Sequence, residues 1–329
     1  MSPKRQTQHI LVSDRAGLPF SKGLMASSLM ATGLAPFRAY EVAEQIESRL
    51  LSAERYEITR AELIELASET IFEMVGQRYA ETYRNWQRVE ELELPFIVLI
   101  GGTTGTGKST IATQLAARLG ITRIISTDAI REVMRSLFSE RIMPALHTSS
   151  FEASEAIRGP IPKSADPVIV GFEQQVRAVS VAVEALIDRA VLEGTDLIIE
   201  GAHLVPGFID SPEWSPPWED KAVVVPIVIT VDDEDVHRSH FFLREMEAGQ
   251  RNVERYLSHF ENIRKIQKFI RTQAEQRGVP VIASYSLDST LTAVIDHLVE
   301  KAVERFGGRA DPGEKAKSEV KVKVKQEDR

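Results

Sequence analysis

Residues 94–120 read LPFIVLIGGTTGTGKSTIATQLAARLG, and this stretch decides the fold. It opens with an apolar run of the kind that forms a strand in a parallel sheet. Gly102 to Ser109 then satisfy GxxxxGK[ST] without exception. Ala112, Leu115, Ala116 and Leu119 follow at helical spacing, and Gly120 stops the helix. Strand, glycine-rich turn and amphipathic helix are the context that gives this motif its meaning; a chance glycine-rich turn is the alternative. The glycines let backbone N–H groups and the helix N-terminus face phosphate oxygens. Gly102, Thr103, Thr104, Gly105, Thr106, Gly107, Lys108, Ser109 and Thr110 are therefore the candidate ATP-binding residues. Lys108 is placed to reach the β- and γ-phosphates, and the Ser109 hydroxyl to ligate Mg²⁺.

Beyond this stretch the chain keeps alternating strand and helix, the signature of a parallel α/β sheet. TRIIS, DLIIEG, AVVVPIVITV and GVPVIAS supply further strands, making about five in all. Helical stripes lie at Ile130, Val133, Met134 and Leu137, and at Phe172, Val176, Val179, Val183, Leu186 and Ala190. A mostly helical stretch covers 235–277. Residues 139–170 hold Pro144, Pro160, Pro162 and Pro167 and read as a long functional loop or lid.

The region before the sheet has a different texture. HILVS reads as a short strand leading into a turn-rich segment. Pro36 opens a helix striped by Phe37, Tyr40, Ala43, Ile46 and Leu50. Thr59 and Glu62 form a capping-box pattern ahead of the stripe Leu63, Leu66, Ala67, Thr70, Ile71 and Met74, with Gly76 as the stop. Tyr79, Tyr83 and Trp86 mark a third helix. The expected division is a small helical domain over residues 1–92, a P-loop domain over 93–306, and a disordered Gly-, Lys- and Glu-rich tail over 307–329.

Composition limits the function classes. Of 329 residues, 40 are Lys or Arg and 48 are Asp or Glu, a net charge of −8, which argues against a general nucleic-acid binder. The absence of cysteine excludes a disulfide scaffold, a thiol nucleophile and a cysteine-ligated zinc site. The apolar runs are too short to span a bilayer. A cytoplasmic protein without a membrane partner is the expectation.

What is done with the triphosphate is read from the strand ends. A guanine-reading NKxD is missing after VITV, where DDEDVH stands instead, and DLIIEG ends in Glu200 rather than the Asp of a motor ATPase. Asp128, at a strand end beside a helix start, is a candidate to position Mg²⁺ or accept a hydroxyl proton, or to cap the helix. Arg131 and Arg135, four apart, form a candidate clamp for an anionic acceptor or a solvated face paired with Glu132. Glu200 faces Mg²⁺, a water or an arginine, because an isolated buried carboxylate is costly. His203 either touches the acceptor or is a satisfied core histidine. His147, Ser149 and Ser150 in the long loop suit an anionic acceptor. His237, His240, Arg244, Arg251 and Arg255 share one helical stripe, either exposed or resembling the lid of nucleoside-phosphate kinases, whose arginines stabilise the transferring phosphoryl group. Lys108, Asp128, Arg131, Arg244 and Arg251 are the catalytic candidates.

With those residues in hand, the chain resembles the 2-phosphoglycerate kinases over nearly its whole length. The resemblance rests on IGGTTGTGKST, STDAIREVMR, LHTSSFEA, IIEGAHLVPG, HRSHFFLRE and RYLSHFENIRKIQKFI. It implies an α/β fold: a P-loop NTPase sheet, nucleoside-monophosphate-kinase-like, that transfers the ATP γ-phosphoryl group to 2-phosphoglycerate with Mg²⁺. The N-terminal block resembles an ATP-cone through LVSDRAGLPFSKGLMASSL, YEVAEQIESRL and YAETYRNW. That likeness implies a regulatory adenine nucleotide near Arg15 and Lys22 and admits a homo-oligomer. A kinase for another phosphorylated metabolite or nucleotide, and a non-catalytic nucleotide-sensing regulator, remain the alternatives; the presence of Asp128, Arg131 and the lid arginines favours catalysis.

Overall fold

A computed structural model describes residues 10–12, 18–90, 94–209, 218, 221–248 and 253–307. The chain begins with the short strands β1 (Leu11–Val12) and β2 (Leu18–Pro19), helices α1 (Lys22–Met30) and α2 (Pro36–Ser52), strand β3 (Glu57–Ile58), and helices α3 (Arg60–Val75) and α4 (Gln77–Glu90). Next come β4 (Phe96–Gly101), α5 (Lys108–Leu119), β5 (Ile124–Ser126) and α6 (Thr127–Leu137). Two 3-10 stretches, Pro144–His147 and Ser150–Ala156, lead into α7 (Pro167–Glu193) and β6 (Leu197–Gly201). The rest comprises β7 (Val223–Thr230), α8 (Glu234–Ala248), α9 (Val253–Ser258), α10 (Phe260–Gln276), β8 (Val281–Ala283) and α11 (Leu287–Gly307).

The large sheet has five parallel strands in the order β5-β6-β4-β7-β8. Its centre is β4, every residue of which is buried, and strand periodicity divides its side chains between two layers. Phe96, Val98 and Ile100 pack with Ile111, Leu115, Leu291 and Leu298 of α5 and α11. Ile97 and Leu99 pack on the other face with Val179, Val183 and Ile187 of α7. Helices therefore cover both faces, as a parallel sheet requires.

Two helical stripes and one helix boundary differ from the sequence expectation. On α2 the buried face runs through Ala39, Val42, Ala43, Ile46 and Leu50. Phe37 is 77% exposed and Tyr40 is also exposed, because the small Ala39 and Ala43 allow α2 to sit close on α1. On α6 only Ile130 of the four apolar positions is fully buried, and Val133 and Leu137 face outward. Pro167 belongs to α7 rather than to the loop before it: it sits at the first helical turn, behind the Asp166 cap. Helix α1 carries weak amphipathic patterning and escaped the sequence reading. The Thr59–Glu62 capping box and the Gly76 stop both form.

The N-terminal block has its own core, centred on Leu29, Val42, Ile46, Ile58 and Ile71. It also packs on the sheet domain. The Trp86 and Phe96 rings lie 5.6 Å apart, and Ala31 and Trp86 join the core of α5 and α11. Arg78 pairs with Asp296, and Arg118 on α5 donates to the Gly33 carbonyl at 3.3 Å. The tail beyond Gly307, Arg15 and Arg251 lie outside the described residues, and of Arg244 only the backbone is described.

Candidate active site

β4 delivers the chain into the glycine-rich loop, and α5 carries it away starting at Lys108. Gly102, Gly105 and Gly107 all adopt positive φ. The Lys108 ammonium donates to the Thr103 carbonyl at 2.7 Å, and the Thr106 hydroxyl donates to the same oxygen at 3.1 Å. The loop is thus closed around its own lysine, with Thr103 and Thr106 buried beneath it.

Parallel registration brings Glu200 beside Ile100 on one side and Ser126 on the other, at the ends of three strands. There its carboxylate accepts from the Ser109 hydroxyl at 2.9 Å. Mg²⁺ is usually held by one or two carboxylates plus substrate phosphates, and Ser109 with Glu200 is a partial donor set of that kind. Sequence reasoning listed Asp128 for the metal and Glu200 for the acceptor, but left open which of the two carboxylates serves Mg²⁺. The structure brings Glu200, not Asp128, to Ser109.

Asp128 sits one residue inside α6 with its side chain 77% exposed, 3.9 Å from the Arg131 Nε. It does not cap the helix. Ser126 does, accepting from the Ala129 N–H at 3.1 Å. Arg131, only 12% exposed, turns inward and donates to the carbonyls of Leu146 and Thr148 at 2.8 and 3.2 Å. Its buried Nε–H makes no hydrogen bond. Arg135 stays exposed and shares Glu132 with Arg131. The two guanidiniums thus diverge instead of forming one clamp: Arg131 holds the 144–150 segment, and Arg135 faces solvent.

His203 is fully buried and does not line the crevice as an acceptor contact. Its Nδ1 meets the Thr127 hydroxyl at 2.8 Å and its Nε2 meets the Gln175 oxygen at 2.9 Å. The Gln175 amide nitrogen donates to Ala145 and Thr148 carbonyls, so its oxygen is free to accept. Nε2 therefore carries the His203 proton. Burial pushes the His203 pKa down to about 4, partly offset by Asp128 and reinforced by Arg131 and Lys108. At Gly201, a Cβ would overlap the Thr127 hydroxyl, so this glycine lets β6 approach α6. Gln175 was missed from sequence, although its place within the apolar stripe of Phe172, Val176 and Val179 signals a buried polar partner.

The remaining loop residues are tied to structure around them. His147 bonds the Phe138 carbonyl at 2.9 Å. Ser149 accepts from Arg255 at 3.0 Å, and Ser150 is buried. Arg255 also pairs with Glu152, which holds the Glu152 carboxyl below its ordinary range, chiefly through that hydrogen bond. Helix α9 is thereby clipped onto the 149–152 segment. His237 and His240, read in sequence as members of a lid stripe, instead reach the phosphate loop: each lies 2.8 Å from a loop carbonyl, those of Thr104 and Gly105.

A parallel sheet with helices on both faces, a phosphate loop on its central strand and a serine–carboxylate pair at the loop mouth define a P-loop kinase. No protein-family model matches the chain. Curated proteins named 2-phosphoglycerate kinase do. That of Methanothermobacter thermautotrophicus is 41% identical over 287 residues, 87% of this chain and 92% of that one. That of Pyrococcus furiosus is 37% identical over 298 residues, covering 90% and 95%. That of Methanopyrus kandleri is 38% identical over 288 residues, covering 87% and 86%. This chain belongs to the 2-phosphoglycerate kinase family. Solved structures with some likeness include a gluconokinase from Sinorhizobium meliloti 1021, at TM-score 0.38 and 15% identity over 66% of this chain and 98% of that one. A shikimate kinase from Acinetobacter baumannii in complex with shikimate has TM-score 0.36 and 14% identity, covering 68% and 99%. The family assignment rests on the sequence relatives.

Proposed function

We propose that this protein transfers the γ-phosphoryl group of ATP to the free hydroxyl of 2-phosphoglycerate, yielding 2,3-bisphosphoglycerate and ADP, with Mg²⁺ as cofactor. The observation that carries the reading is the Ser109–Glu200 pair beside Lys108 at the mouth of the phosphate loop, with α6, which carries Asp128 and Arg131, starting at the neighbouring strand end. The acceptor oxygen forms the new bond to the γ-phosphorus as the bond to the β–γ bridging oxygen breaks, and ADP leaves. Lys108 exchanges the Thr103 carbonyl for phosphate oxygens and neutralises charge that develops in the transition state. Ser109 and Glu200 would hold Mg²⁺, which when bound would supply positive charge against the phosphates. Asp128 takes the acceptor proton. Arg131, whose Nε–H makes no hydrogen bond within the protein, binds the acceptor's anionic group. Arg244 and Arg251 act on the transferring group on this reading. ADP release measured across phosphorylated acids, nucleotides and sugar phosphates tests the reading: 2-phosphoglycerate gives the highest turnover, and a panel in which no acceptor exceeds the water background defeats it.

A second reading concerns regulation. A cavity of about 410 Å³ lies between β1, β2, α1, α3 and α4 and the C-terminal end of α5, with Met25, Leu63, Ile64, Trp86, Arg60 and Arg118 among its walls. Arg118 is 6% exposed, and its buried Nε–H has no protein partner. An apolar slot with guanidinium groups suits an adenine nucleotide. Lys22, expected to serve this site, pairs with Glu47 at 3.1 Å instead. In calorimetry, the unsubstituted protein binds two adenine nucleotides on this reading; a stoichiometry of one contradicts it. Among the described residues no helix is long and apolar enough to cross a membrane. The cytoplasm, where ATP is available, is the proposed place of action.

A further inference from the structure

The loop that holds the phosphates must present its N–H groups inward, yet glycine-rich backbone is the least able to hold one orientation by itself. Two consecutive peptide units of this loop have an external fixing. His237 Nε2 lies 2.8 Å from the Thr104 carbonyl oxygen, and His240 Nδ1 lies 2.8 Å from the Gly105 carbonyl oxygen. Both histidines sit on the first turns of α8, three residues apart and hence on one face.

The protonation of each ring follows from its partners. The Arg264 guanidinium, which can only donate, places Nη1 3.4 Å from His237 Nδ1 while donating to the Val231 carbonyl at 2.6 Å. His237 Nδ1 therefore accepts, and Nε2 carries the proton that Thr104 receives. The His240 Nδ1 must carry its own proton, because a carbonyl only accepts. Burial holds the His237 imidazole neutral, its pKa pushed down to about 4. The ring is further fixed by stacking on Phe241, with centroids 5.5 Å apart, and by an edge contact with Phe260. A Cβ at Gly105 would come within 2.7 Å of Phe241 and 2.8 Å of His237 Nε2, so loop and helix are in direct contact.

We infer that His237 and His240 are positioning residues that set the phosphate loop for binding, by pulling two successive carbonyls toward α8. The peptide bond is planar and trans, so a carbonyl aimed one way aims the next N–H the other way. Holding the Thr104 carbonyl outward turns the Gly105 N–H toward the phosphates, and holding the Gly105 carbonyl does the same for Thr106. This inference rests on the phosphate-loop reading and is independent of which acceptor the enzyme uses.

The test uses the full-length protein, with ADP and adenosine as calorimetric probes. Phenylalanine keeps the ring and removes the donor. His237→Phe and His240→Phe each weaken ADP binding about three- to tenfold, the loss of one or so neutral hydrogen bonds, and leave adenosine affinity unchanged. Amide length then discriminates: a glutamine nitrogen reaches the position of Nε2, and an asparagine nitrogen that of Nδ1. His237→Gln and His240→Asn restore ADP binding, whereas His237→Asn and His240→Gln do not. Unchanged ADP affinity in the phenylalanine variants overturns the inference, as does recovery that ignores amide length. If His237→Phe does not fold, the half-buried His240 series decides alone. Failure of the phosphate-loop reading itself would instead abolish ADP binding in the unsubstituted protein.

Discussion

The Ser109 hydroxyl donates to the Glu200 carboxylate at 2.9 Å, joining the first turn of α5 to the end of the neighbouring strand β6. This pair is where Mg²⁺ would enter the reaction. Glu200→Gln keeps the volume and an acceptor oxygen but removes the charge. The expected result is a fall in kcat of about 10²-fold or more, with a higher Mg²⁺ concentration needed for half-maximal rate. A Mg²⁺ titration with an unaltered midpoint contradicts the assignment.

Lys108 spends its charge on a loop carbonyl until phosphate oxygens are present. Lys108→Ala is expected to lower kcat by about 10²- to 10³-fold, a larger effect than on ATP affinity, because the charge it meets grows in the transition state. Steady-state kinetics alongside direct ATP binding measures the split. Equal losses in both would mean the lysine merely binds ground-state nucleotide.

His203 and His237 are both buried neutral, with pKa values pushed down from 6.5 to about 4. Between those values the unfolded chain binds protons that the folded chain refuses. Stability is therefore greatest above pH 6.5 and falls as pH drops toward 4, by on the order of 1 kcal/mol per pH unit for each histidine. Urea melts at pH 7.5, 6 and 5 measure this, and the His237→Phe variant has a shallower slope. A stability that does not change between pH 7.5 and 5 contradicts the burial of neutral imidazoles.

The junction between the N-terminal block and the sheet domain is a packed one. Trp86 and Phe96 are both buried and in contact, so Trp86→Ala is expected to cost about 3–5 kcal/mol, although it lies away from the phosphate loop. Deleting residues 1–92 removes Trp86 and Ala31 from the sheet-domain core, so the remaining domain should melt at a lower temperature while phosphoryl transfer persists below that midpoint. A truncated protein that is folded yet inactive would contradict the modular reading.

Much of the fold was legible because its signals are local and strong. The phosphate loop between an apolar strand and an amphipathic helix fixes β4 and α5, and the Thr59–Glu62 box fixes the start of α3. On α2 Ala43, Ile46 and Leu50 are buried as the stripe has them, but the large Phe37 and Tyr40 are exposed and Ala39 and Val42 complete the buried face. The site was legible in its residue types and less so in their partners. Glu200 reaches Ser109 through strand order and register, and neither is written in either local sequence. Arg131 and Arg135 share a helical spacing, but only Arg131 finds backbone carbonyls to bind. His203 reaches Thr127 and Gln175 across large sequence separations, which no spacing argument could supply.

The most direct test of the central claim is the product. Full-length protein with ATP, Mg²⁺ and 2-phosphoglycerate, followed by ³¹P NMR, should show 2,3-bisphosphoglycerate appearing in step with ADP and no matching rise in inorganic phosphate. ADP accompanied only by inorganic phosphate, or no ADP above the acceptor-free background, would contradict it.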